Sequence, residues 1–162
     1  MPQVFQPLTA TTGRALLGLY FILPGLSKIP GWDGTATLMT EKGMVLVGPF
    51  LVLTIVLQIG GGLALALGYR TRLIAFVLAG LTLMISLVIH NFWALPPGEL
   101  QTAHEMQNFV KNTAIMAGLL GYSGLGGGPG VSTIEQRPDA RRRPYREARL
   151  PKSVRGPFPA NR

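Results

Sequence analysis

The sequence contains no cysteine and few charged residues. Charged side chains make up 14% of its 162 residues, whereas a soluble domain usually carries about 25%. The absence of cysteine excludes disulfides, thiolate metal sites, cysteine-ligated iron–sulfur clusters and thiol–disulfide catalysis. Hydrophobic residues account for 48% of the chain. Together with the low charge, this composition favours a membrane protein over a soluble domain.

Four apolar runs follow one another in the first 125 residues, each about long enough to cross a bilayer as a helix. They are 13–29, 44–67, 73–93 and 108–125. A polar connection (30–43), a short basic turn and a polar loop (94–107) separate them. The predicted fold class is therefore all-α, an antiparallel bundle of four transmembrane helices.

The second run contains small residues at helical spacing. Gly60 and Ala64 form one pair separated by three residues, and Gly62 and Ala66 form another. Such pairs allow two helices in a membrane to approach closely. We therefore interpret this glycine-rich stretch as a packing surface. A phosphate-binding loop is disfavoured, because no strand precedes it and no P-loop lysine follows it.

The composition changes sharply after residue 125. A glycine-rich linker (124–130) leads into a segment rich in proline and arginine. Residues 126–162 hold nine Lys/Arg and three Asp/Glu, a net charge of +6, and residues 1–125 account for the remaining +2. This composition predicts two regions: a transmembrane domain over 1–125 and an extended or disordered basic tail over 126–162. The arginines predicted to bind lipid or a protein partner are Arg141, Arg142, Arg143, Arg146 and Arg149.

The distribution of positive charge predicts the orientation in the membrane. Arg70 and Arg72 lie in the turn between the second and third runs, and the tail is strongly basic. The loop over 94–107 has neither lysine nor arginine. Because cytoplasmic segments are enriched in basic residues, both termini are predicted to lie in the cytoplasm.

This orientation collects polar side chains at the outer end of the bundle. Lys28, His90, Asn91 and Lys111 lie at or near helix ends there, whereas Gln58 lies near the middle of the second helix. Polar groups inside membranes often mark ligand sites. Three of these residues also have a plain structural interpretation. Lys28 could be an interfacial anchor, His90 could serve interfacial packing, and Gln58 could bridge two helices. Both interpretations stay open.

The sequence shows no catalytic or metal-binding signature. His104-Glu105 resembles half of a zinc motif, but position 108 is asparagine where a second histidine is needed. No metal site is predicted, and no nucleophile or nucleotide-binding motif is identified. A quinone is the one cofactor that the pattern suggests, because apolar walls suit its tail and His, Lys or Gln suits its carbonyl groups.

The arrangement resembles the DoxX family of four-helix membrane proteins over roughly residues 13–122. The most specific match is His90-Asn91-Phe92-Trp93 followed by 107–112. The other matching stretches are 13–14, 25–28, 32–36, 39, 42–43, 61–64 and 67–72. One residue departs from the pattern: family members commonly have glutamate ahead of the glycine pair, and this chain has Gln58. The arginine-rich tail also lies outside the family pattern.

The resemblance implies several roles. Some related proteins are subunits of thiosulfate:quinone oxidoreductase, some look like membrane anchors for soluble redox enzymes, and some distant relatives behave as assembly chaperones. The leading hypothesis is an accessory or anchoring subunit of a quinone-linked redox complex in the bacterial inner membrane. A catalytic quinone-reducing subunit and a small transporter or channel are the alternatives, so whether the chain is an enzyme is open. The expected partners are the lipid bilayer, other protein subunits and a second copy of the chain, but not nucleic acid.

Overall fold

A computed structural model describes residues 5–125. The chain forms α1 (Phe5–Ser27), α2 (Trp32–Glu41), α3 (Val47–Leu67), α4 (Thr71–Val88) and α5 (Leu100–Leu125), with a 3₁₀ turn before α5. No strand occurs between residues 5 and 125, so the all-α fold class is confirmed. The predicted basic tail, including Arg141, Arg142, Arg143, Arg146 and Arg149, lies outside the described residues.

The membrane-spanning character is clearest in the two central helices. Val47–Leu67 and the segment Thr71–Ala94 are long and apolar enough to cross a bilayer by length and composition. The four-span prediction is thus confirmed for α3 and α4. Helices α1 and α5 have 23 and 26 residues, about 34 and 39 Å at 1.5 Å per residue. They have the length of a span, and their crossing of the membrane stays a prediction.

The helices differ from the sequence prediction at three boundaries and by one additional helix. Helix α4 ends at Val88, five residues before the end of its apolar run at residue 93. Helix α1 begins at Phe5 and α5 at Leu100, each several residues before its apolar run. Hydropathy marks only the apolar part of a helix, and helical hydrogen bonding continues into polar residues. The connection over 30–43, predicted as a polar loop, contains the ten-residue helix α2. Its Met39 is buried, and this packing supports a helix whose own residues favour it weakly.

Helices α1 and α3 pack against each other through glycines. A Cβ built on Gly62 would lie 2.7 Å from the carbonyl oxygen of Gly18, and one on Gly18 would lie 2.8 Å from Cβ of Ala66. The predicted packing role of Gly62 and Ala66 is confirmed. A Cβ built on Gly60 would have no atom within 4 Å, so the Gly60–Ala64 pair does not contribute to this interface.

The far end of α3 is closed by a glycine cap and by an arginine from α1. Gly68 has φ +81°, and the amide of Tyr69 donates to the carbonyl of Ala64, as in a Schellman motif. Nε of Arg14 donates to the carbonyl oxygen of Ala66 at 3.3 Å. Arg14 is only 9% exposed, so its side chain is buried against the end of α3. Its positive charge instead faces the negative end of the α3 dipole.

The Gly18–Gly62 contact leads to a stability prediction. Gly62→Ala places a methyl group against the backbone of α1, so the two helices must separate. We expect a clear fall in the thermal midpoint of the detergent-solubilised protein. Gly60→Ala is the matched control, because it adds the same methyl group two residues away in open space. It should leave the midpoint unchanged or raise it, since alanine favours a helix over glycine by about 1 kcal/mol. Equal effects of the two substitutions would contradict the assigned interface.

Candidate functional site

A cavity of about 820 Å³ lies among the helices. This volume is within the range of about 300–1,000 Å³ that is typical of small-molecule sites. Side chains from all five α-helices line it, and most of them are apolar, including Leu51, Leu57, Leu81 and Ile85. The cavity reaches the end of the bundle where α1 ends and α4 ends; we call this the polar end.

Four of the five predicted site residues line this one cavity: Lys28, Gln58, His90 and Lys111. They come from positions far apart in the chain, on or beside α1, α3, α4 and α5. The fifth, Asn91, does not line the cavity in this structure. Its Oδ1 accepts a hydrogen bond from Nζ of Lys42, which ties the start of the α4–α5 connection to the end of α2.

Gln58 is the most deeply placed of the four. Its side chain is 5% exposed, and its Oε1 has no hydrogen-bond partner in the described part of the chain. A Cβ on Gly25 would lie 3.0 Å from Cβ of Gln58, so the close approach of α1 helps to hold this side chain in place. A buried amide oxygen without a partner is costly. Such a group in a cavity marks a place where a ligand or water can supply the missing bond.

The two lysines are bound only to neutral oxygen atoms. Lys28 follows the last residue of α1, is half-buried, and donates from Nζ to the carbonyl oxygen of Pro24 at 3.2 Å. Lys111 lies on α5 and donates from Nζ to Oδ1 of Asn108 at 2.9 Å. Because an ammonium group has three hydrogens to donate, both lysines keep hydrogen-bonding capacity for a ligand.

His90 is fixed by a carboxylate at the polar end. Its Nδ1 lies 2.6 Å from Oε2 of Glu105, and the two side chains are 19% and 20% exposed. The 3₁₀ turn Phe92–Ala94 follows His90, and the Phe92 ring packs edge-on against Phe109 of α5 at 5.6 Å. This packing brings the end of α4 and the first turns of α5 together. A histidine held in this way at a cavity wall is suited to exchange a proton with a bound molecule.

Tyr20 and Asn112 also line the cavity and are not among the site residues predicted from the sequence. Oη of Tyr20 donates to Oδ1 of Asn112 at 2.8 Å, which joins α1 to α5. Asn112 is buried. Asn108 and Asn112 are four residues apart and therefore share a helix face. That spacing was the available signal that two amides of α5 point toward the same space.

The described residues contain no group of three or more histidine, aspartate or glutamate side chains that could hold a metal ion. His104, in the partial zinc motif, is exposed, while its neighbour Glu105 pairs with His90.

The fold and the cavity define a helical membrane protein with a ligand-sized internal site. The chain belongs to the DoxX family, whose family model matches residues 9–91. It is 35% identical over 123 residues to the inner membrane protein YqjF of Escherichia coli. The matched residues make up 76% of this chain and 86% of YqjF. It is 26% identical over 132 residues to the inner membrane protein YphA of the same organism, at 82% and 91% coverage. No solved structure matches it.

The unpaired amide of Gln58 yields a second stability prediction. Gln58→Leu removes a buried polar group and keeps a similar side-chain volume, so we expect the ligand-free protein to become more stable. An unsatisfied buried group costs about 1–3 kcal/mol, which sets the scale of the gain. Thermal unfolding in detergent, after extraction of bound lipids, would measure it. A large loss of stability would show that the amide has a structural partner after all.

Proposed function

We propose that this membrane protein binds a quinone-type molecule in its central cavity and serves as an accessory or anchoring subunit of a bacterial membrane redox complex. The observation that carries the proposal is the convergence of Lys28, Gln58, His90 and Lys111 on one apolar cavity. Apolar walls suit an isoprenoid tail. The Gln58 side chain can donate from Nε2 to a quinone carbonyl, and its unpaired Oε1 can accept from the hydroxyl of the reduced quinol. Membership of the DoxX family and the similarity to two inner membrane proteins agree with this setting.

The proposed location is the bacterial inner membrane, with both termini in the cytoplasm. In the antiparallel bundle, the start of α1, the end of α5 and the turn between α3 and α4 lie at the same end. That turn carries Arg70 and Arg72. The positive-inside rule therefore supports one orientation for the whole bundle, with the polar end of the cavity facing outward.

A second candidate function is a catalytic subunit that reduces quinone. The His90–Glu105 pair favours it, because quinone reduction consumes protons and this pair lies at the cavity wall. In this alternative, His90 delivers a proton to the ring oxygen and Glu105 keeps the imidazole oriented. The accessory role requires only that the cavity bind its ligand.

Quinone binding provides the direct test of the proposed function. The full-length protein in lipid nanodiscs should bind a short-chain ubiquinone or menaquinone analogue. Gln58→Leu should weaken this binding about five- to tenfold, because one hydrogen bond is worth about 1 kcal/mol. Thr113→Val is the matched control, since Thr113 lies exposed on α5 and bonds only to its own helix at Phe109. Absence of saturable binding in the wild-type protein would refute the proposal.

Mild purification from native membranes tests the complex. We expect the chain to be recovered with other subunits, and quinone-dependent activity to depend on the complex. A partner-free monomer would contradict the accessory role.

The variant His90→Gln separates the two candidate functions. Unchanged electron transfer by the complex supports the accessory role, whereas loss of electron transfer with intact quinone binding supports the catalytic one.

A further inference from the structure

The charged side chains that line the cavity are all basic. The charged side chains that line it are Lys28 and Lys111, together with the titratable His90, and no aspartate or glutamate is part of the lining. Glu105 lies outside the lining, and its Oε2 is in contact with Nδ1 of His90. The cavity wall therefore carries two positive charges without a negative charge to offset them.

Neither lysine is neutralised elsewhere. Within residues 5–125 the one close contact between a basic and an acidic side chain is His90–Glu105, and the bonds of Lys28 and Lys111 go to a backbone carbonyl and an amide oxygen. Lys28 is half-buried, so its unpaired charge beside an apolar space at the membrane is energetically costly, whereas Lys111 is exposed. A negatively charged group between or beside the two ammonium groups would form charge-assisted hydrogen bonds and lower that cost.

The apolar part of the cavity wall indicates what the rest of such a ligand must be, beyond its negatively charged group. The leucine, methionine, isoleucine, valine and phenylalanine side chains that make up most of the lining offer no hydrogen bonds along the cavity. A small inorganic anion would leave this surface uncovered. A hydrocarbon chain would cover it through van der Waals contacts and would leave no polar group of its own unpaired.

We infer that the cavity also binds a single-chain amphiphile with an anionic head group, the head at Lys28 and Lys111 and the chain along the apolar wall. The carboxylate of a fatty acid and the phosphate of a single-chain phospholipid share this chemistry. The inference shares one premise with the proposed function, namely that this cavity binds a ligand, but it does not require that ligand to be a quinone. It adds a second ligand class, which would compete with the quinone for the same space.

Three probes of equal chain length test the head group: palmitate, hexadecyl phosphate and hexadecanol. Binding to the purified full-length protein would be measured by native mass spectrometry in detergent. At least one acid should bind about tenfold more tightly than the alcohol, a difference of about 1.4 kcal/mol. Preference for palmitate alone identifies a fatty acid, and preference for hexadecyl phosphate alone identifies a phosphate head group. Equal binding of all three probes would overturn the inference.

The double variant Lys28→Gln/Lys111→Gln should lose the preference for the acids, whereas Lys28→Arg/Lys111→Arg should keep it. Lys42→Gln is the matched control, because Lys42 is bound to Asn91 and does not line the cavity. If the double glutamine variant is not monodisperse, each single variant should still lower the preference. An acid preference that survives both single glutamine substitutions would count against the assigned head-group site.

Parallel quinone binding keeps the two proposals distinguishable. Saturable quinone binding without any acid preference refutes only the anionic ligand. Acid preference without quinone binding supports the anionic ligand and refutes the quinone. If neither ligand binds, the cavity is not a ligand site and both proposals fail.

Discussion

The close approach of α1 and α3 is the contact on which the rest of the structure depends. Gly18 and Gly62 meet backbone to backbone, and Gly25 repeats the approach two turns later against Gln58 and Ile59. Without side chains at these positions, van der Waals packing holds the two helices together in a membrane, where hydrophobicity does not drive helix association. The contact also has chemical consequences at both ends. It brings Arg14 onto the end of α3, and it holds Gln58 beside the cavity.

The cavity exists because the bundle is built from two helix pairs. Helix α1 packs on α3 and α5 packs on α4, while α3 and α4 provide the link between the pairs. The Tyr20–Asn112 hydrogen bond joins α1 of one pair to α5 of the other. Larger side chains near this bond would close the space, but the wall instead combines flexible methionines and branched aliphatic residues. Such a wall adapts to a chain-like ligand at low cost.

The sequence predicted the four long helices because apolar length is a local property. It placed Lys28, His90 and Lys111 at one end of the bundle because helix order assigns each helix terminus to an end. It did not predict α2, whose helix depends on tertiary packing: Met39 is buried, and α2 lies against α3. It did not predict the pairings of Arg14, Glu105 or Tyr20 either. Each pairing joins residues distant in the chain, so its geometry depends on tertiary packing. Asn91 belongs to the stretch that matches the family pattern, but its side chain bonds to Lys42. A sequence motif does not determine the orientation of a side chain.

Gln58 connects the family comparison to the charge of the cavity. Where members of the DoxX family commonly have glutamate, this chain has an amide, which preserves hydrogen bonding and removes a negative charge. A carboxylate at this depth would have offset one of the lysine charges at the same cavity, and its ligand would need less negative charge. With glutamine, both lysines stay uncompensated while the amide oxygen stays unpaired. The substitution therefore acts on ligand charge as well as on proton chemistry.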